Sequence, residues 1–90
     1  LERDSDKIAS YLLQLGLEPE SLIVVLLEAS YHFVATMLGI LKAGYAYVPV
    51  DPDYPIARIE FLIANSKSKL VIANANTKKR IHQENVLVVD

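Results

Sequence analysis

The apolar positions along the chain fall into two alternating patterns. Ile8, Tyr11, Leu12 and Leu15 follow the i, i+3, i+4, i+7 spacing of an amphipathic helix. Asp4, Ser5 and Asp6 stand at its expected start, where side-chain oxygens cap free N–H groups and acids suit the helix dipole. Gly16 is the expected left-handed stop, and Pro19 falls in the connector. Leu22–Leu27 is then a continuous apolar run of strand length with a β-branched centre. It does not alternate, so both faces are expected to be covered, as in a parallel sheet between helices. Ser30 is placed to cap a second helix, whose buried stripe reads as Phe33, Val34, Met37, Leu38 and Leu41. Gly44 ends that helix after Lys42. Gly39 inside it points to close packing, because glycine there costs about 1 kcal/mol against alanine.

Ala46–Val50 reads as a second strand. Pro49 has no ladder donor, which places this strand near an edge or ends it early. Asp51-Pro52-Asp53-Tyr54-Pro55 is a stiff turn: the prolines fix φ and the acids accept backbone N–H groups. Pro55 or Ile56 opens a third helix with Ile56, Ile59, Leu62 and Ile63 on one face. Leu70–Ala73 is a third strand, Asn76 or Thr77 caps a short helical turn through Ile81, and Val86–Val89 is a fourth strand. Helices and strands alternate through short connectors. The expected fold class is α/β, with mostly parallel strands and right-handed crossovers.

Composition sharpens this picture. Of the 90 residues 52% are apolar and 22% charged, which excludes a disordered segment. The apolar share is high for a chain whose size lets it hide only roughly 60% of its unfolded surface. Part of that surface is expected to face something beyond these residues. The first residue is not Met, which points to a chain cut from something longer. No cysteine is present, so a disulfide framework, a thiolate zinc site and a cysteine nucleophile are excluded, and a reducing compartment is suited. The longest uncharged stretch, Ala29–Leu41, is shorter than the roughly 18 residues of a membrane span. The acidic start predicts no signal peptide. A net charge of −2, with the acidic surplus in the first half, argues against a nucleic-acid partner.

Ligands of open α/β sheets sit beyond the carboxyl ends of the strands. Those positions are Glu28-Ala29-Ser30, Val50-Asp51-Pro52, Ala73–Asn76 and Asp90. None is a glycine-rich phosphate cradle, and Gly16, Gly39 and Gly44 are each explained by helix geometry. Asp51 and Asp53 are a candidate carboxylate pair for a metal, but between prolines they read as an acid-braced turn. Ser30 and His32 resemble a nucleophile and base, yet two residues apart on a helix they do not face each other. His82 is expected to be exposed, and Lys78-Lys79-Arg80 near Glu84 to be a solvated face. Tyr45, Tyr47 and Tyr54 could stack a ring. The plainer expectation is half-buried tyrosines whose hydroxyls reach a partner.

One segment goes further. Leu41-Lys42-Ala43-Gly44-Tyr45-Ala46-Tyr47-Val48-Pro49-Val50-Asp51 closely resembles the L-K-A-G-x-A-Y-V-P-[LIV]-D motif of amino-acid adenylation domains of nonribosomal peptide synthetases. The similarity continues through Pro52, Asp53, Tyr54, Pro55 and Arg58-Ile59, like the family's D-P-x-Y-P…R-[IL]. Upstream, Glu28-Ala29-Ser30 resembles E-R-S, Ala35–Ile40 resembles A-x-L-G-I-L, and Asp6–Leu12 resembles the family's first helix. Leu1 is similar to the last residue of L-T-Y-x-E-L. Ala29 departs from the usual Arg, and Tyr45 from Gly or Ala. Relatives that activate fatty or aryl acids share part of the motif, whereas D-P-x-Y-P favours the amino-acid branch.

The resemblance implies that residues 1–90 are an incomplete N-terminal part of an adenylation domain, one layer of its large N-terminal subdomain. The intact enzyme would use ATP and Mg²⁺ to form an aminoacyl-adenylate and pass it to the phosphopantetheine thiol of a carrier domain. Its partners would be the remainder of the adenylation domain, carrier and condensation domains and an amino-acid substrate, in the cytoplasm, with neither nucleic acid nor membrane. The catalytic, nucleotide-binding and metal-binding motifs of the family lie later. No such role is carried onto this chain, which is expected to bind no cofactor alone. Leu41, Lys42, Ala43, Gly44, Ala46, Tyr47, Val48, Pro49, Asp51, Pro52, Tyr54, Pro55 and Arg58 are expected to act structurally. The competing readings are a self-standing interaction or scaffold module and a small acyl- or nucleotide-binding domain.

Overall fold

A computed structural model describes residues 2–83 and 85–89. The expectations placed on Leu1, Glu84 and Asp90 lie outside the described residues. The elements are helix α1 (Glu2–Gln14), strand β1 (Leu22–Leu26), helix α2 (Tyr31–Lys42), strand β2 (Ala46–Pro49), helix α3 (Ile56–Ser66), strand β3 (Leu70–Ala73), a 3-10 turn (Thr77–Arg80) and strand β4 (Val86–Val88). All strand pairs are parallel, in the order β2-β1-β3-β4. The chain forms the α/β architecture that its alternating pattern predicts.

β1 lies inside this sheet and its side chains point alternately to the two sides. Ile23, Val25 and Leu27 pack with Leu12 of α1 and Ile40 of α2. Val24 and Leu26 pack with Ile59 and Ile63 of α3. Two helices cover one face and one helix covers the other, so the run has no polar positions. β2 is an edge strand, as Pro49 requires. Ala46 and Val50 donate their N–H groups to Ser21 and Val25 of the neighbouring chain segment. The alternate residues Tyr47 and Pro49 therefore turn their nitrogens toward the open edge, where proline's missing donor breaks no ladder bond. Gly16 and Gly44 end their helices at φ 68° and 85°.

The helices depart from their expected faces. α1 begins by Glu2, so Asp4, Ser5 and Asp6 lie within it instead of capping it. Its buried line is Ser5, Ala9 and Leu12, while Tyr11 and Leu15 are exposed. α2 buries Ala35, Thr36, Gly39 and Ile40. In the expected stripe, Phe33, Met37 and Leu38 are half-buried, and Val34 and Leu41 are 39% and 52% exposed. The cause is close contact between the two helices. A Cβ on Gly39 would stand 2.7 Å from Ile8 Cγ2 and 2.9 Å from the Ser5 carbonyl oxygen. Only a face of small residues admits α1 at that distance, and an almost wholly apolar helix gives periodicity no other basis for choosing a face. α3 buries Ile59 and Ile63, with Leu62 half-buried, but Ile56 sits exposed in its first turn.

Candidate functional site

The carboxyl ends of β1 and β2 open into a cleft of about 470 Å³ between Leu27–Ala29 and Phe33 on one side and Pro49–Tyr54 on the other. The Leu41–Arg58 motif builds one wall of it. Ala43 is the C-cap of α2, and Gly44 turns the chain into Tyr45, which is buried with its hydroxyl 3.3 Å from the Leu17 carbonyl. Ala46–Pro49 forms the edge strand, where Tyr47 and Val48 are half-buried. Asp51 then closes the turn: its Oδ1 accepts the Asp53 N–H at 2.9 Å, and its carbonyl accepts the Tyr54 N–H at 3.1 Å. Pro52 is buried, and Pro55 is the N-cap residue of α3. Arg58 lies 4.7 Å above the Tyr54 ring, a cation–π contact that ties α3 to the turn. Asp51 thus braces the turn through its side chain, and Asp53 takes part through its backbone N–H. Among the described residues no three His, Cys, Asp or Glu side chains converge as a metal site.

Ser30 caps α2, its Oγ accepting the Phe33 N–H at 3.4 Å. His32 meets the edge of Tyr31, with ring centroids 5.6 Å apart, and makes no pair with Ser30. The strand order reverses between β1 and β3, where an open sheet normally leaves a ligand crevice. Here Thr77 fills it. Its buried hydroxyl donates to the Leu26 carbonyl at 2.8 Å and accepts the Asn74 N–H at 3.0 Å. Asn74 Oδ1 in turn accepts the Thr77 N–H at 2.7 Å. The short turn is therefore held by Asn74 and Thr77, since Asn76 at the N-cap position makes no side-chain capping bond. The Asn-x-x-Thr spacing is the signal that could have found it.

Lys78, Lys79 and His82 are exposed as expected. Arg80 is different: it is half-buried and donates from Nη2 to the Tyr54 carbonyl at 2.7 Å. Lys42 also has a role that sequence spacing could not disclose. Its Nζ reaches Asp6 and Ser5 of α1 at 2.8 Å each and Glu2 at 3.4 Å. The hydrogen bond to Asp6 holds the Lys42 ammonium above the ordinary lysine range. On the same helix pair, the Tyr31 hydroxyl donates to Asp4 Oδ2. That bond lowers the Asp4 carboxyl and raises the Tyr31 phenol.

These residues do not fit ATP or Mg²⁺. The switch-point crevice holds a threonine hydroxyl, the Asp51 carboxylate braces its own turn, and the glycines serve helix ends and helix contact. An all-parallel sheet covered on both faces, with a cleft at its carboxyl edge, defines an open α/β unit. The chain belongs to the AMP-binding enzyme family, which it matches along residues 1–90. It is 36% identical over 84 residues to N-(5-amino-5-carboxypentanoyl)-L-cysteinyl-D-valine synthase of Penicillium rubens, covering 93% of this chain and 2% of that protein. It is 35% identical over 82 residues to tyrocidine synthase 1 of Brevibacillus parabrevis, covering 91% of this chain and 8% of that one. The crystal structure of the nonribosomal peptide synthetase FmoA3 in its AMPPNP-bound form superposes on 96% of this chain and 10% of its own, with a TM-score of 0.87 at 27% identity. A four-domain nonribosomal peptide synthetase bound to AMP and glycine aligns over 94% of this chain and 6% of its own, with a TM-score of 0.85 at 27% identity. The chain therefore spans a small fraction of the relatives it matches.

Proposed function

We propose that residues 1–90 are an incomplete N-terminal part of an amino-acid adenylation domain of a nonribosomal peptide synthetase. In the whole protein an amino-acid carboxylate would attack the α-phosphorus of ATP, releasing pyrophosphate. The carrier domain's phosphopantetheine thiol would then take the acyl group and release AMP. Mg²⁺ would offset phosphate charge at residues outside this chain. The observation that carries this reading is the agreement in place of motif and fold. Leu41–Asp51 forms a helix end, a left-handed cap, an edge strand and a turn in a chain that superposes on a nonribosomal peptide synthetase with a TM-score of 0.87. Carrier and condensation domains as partners, and a cytoplasmic setting, follow from the same reading.

The segment's own contribution is structural: at its carboxyl edge the Thr77 hydroxyl and the Asp51 carboxylate are engaged within the chain. Two measurements test this. The whole polypeptide should catalyse amino-acid-dependent exchange of pyrophosphate into ATP, and its inability to do so with every amino acid would sink the reading. Residues 1–90 alone should bind neither ATP nor amino acids by titration calorimetry. Binding there would favour a small nucleotide-binding domain instead.

A further inference from the structure

We draw no further inference here: the strongest candidate, the cleft at the carboxyl ends of β1 and β2 with Glu28, Asp51 and Asp53 exposed along it, carries nothing, because three acids define no ligand by themselves and nothing in the structure shows what fills or covers the cleft.

Discussion

Gly39 sets the distance between α1 and α2. Alanine is ordinarily the better helix residue by about 1 kcal/mol. Here its Cβ would lie within 2.9 Å of the Ser5 carbonyl and closer still to Ile8. Overpacking of this kind costs about 1–3 kcal/mol, so Gly39→Ala should lower stability despite its helix propensity. Urea unfolding checks the sign. Adding Ile8→Ala should return part of the loss, and strict additivity of the two changes would contradict the contact. The clamp around Lys42 and Tyr31 makes a second residue-scale prediction. Lys42 and Tyr31 titrate above their ordinary values of 10.5 and 10.0. Their contribution is complete below those values and is lost as pH rises through the folded ones. Asp4 titrates below its ordinary 3.8, so its contribution is present above that value and is lost as pH falls through the folded one. Unfolding midpoints across pH should therefore fall at both extremes. Lys42→Met and Tyr31→Phe should flatten the alkaline limb, and Asp4→Asn the acid limb.

Elements were legible wherever one residue or run decides them. Leu22–Leu27 announces a strand covered on both faces, Gly44 a left-handed stop, and Pro49 an edge, and the sheet places all three so. The inward face of α2 was not legible. Val34 and Leu41 look outward because Gly39 and Ala35 admit α1, a choice that depends on a partner far away in sequence. Lys42 escaped for the same reason, since Asp6 is 36 positions away. At the candidate site the Asp51 turn was readable from local chemistry, whereas the Thr77 plug needed knowledge of which strands become neighbours. That plug can be tested. Thr77→Val keeps shape but leaves the Leu26 carbonyl and the Asn74 N–H without their hydroxyl partner. A loss of about 1–3 kcal/mol is expected on thermal unfolding, with Thr77→Ser close to wild type. Pro49→Thr should behave oppositely. Its new N–H faces the open edge, so stability should stay within about 0.5 kcal/mol. Light scattering should show more self-association, because an unblunted edge can pair with another chain.

At the scale of the molecule, β1 is the strand that joins two cores. Its odd-numbered residues close the core beneath α1 and α2, and its even-numbered ones close the core beneath α3. It is also paired on both sides, to β2 through Leu22–Val25 and to β3 through Ile23–Leu26. β2 has a ladder on one side only, interrupted outward by Pro49, and β4 is a three-residue strand at the other edge. The most protected part of the sheet should therefore be β1 with β3, because opening either one exposes apolar surface on both faces. Mass-resolved hydrogen exchange should find the amides of Ile23–Leu26 and Val71–Ala73 slowest, with Tyr47 and Val88 exchanging earlier. Equal rates across the four strands would mean that the sheet opens as one unit. At this centre Thr77, in the turn that follows β3, donates to the Leu26 carbonyl and so ties that turn to β1. In a segment whose proposed role is to support a larger catalytic domain, sealing the switch point still leaves a carboxyl-edge cleft beside Asp51 open to neighbouring chain.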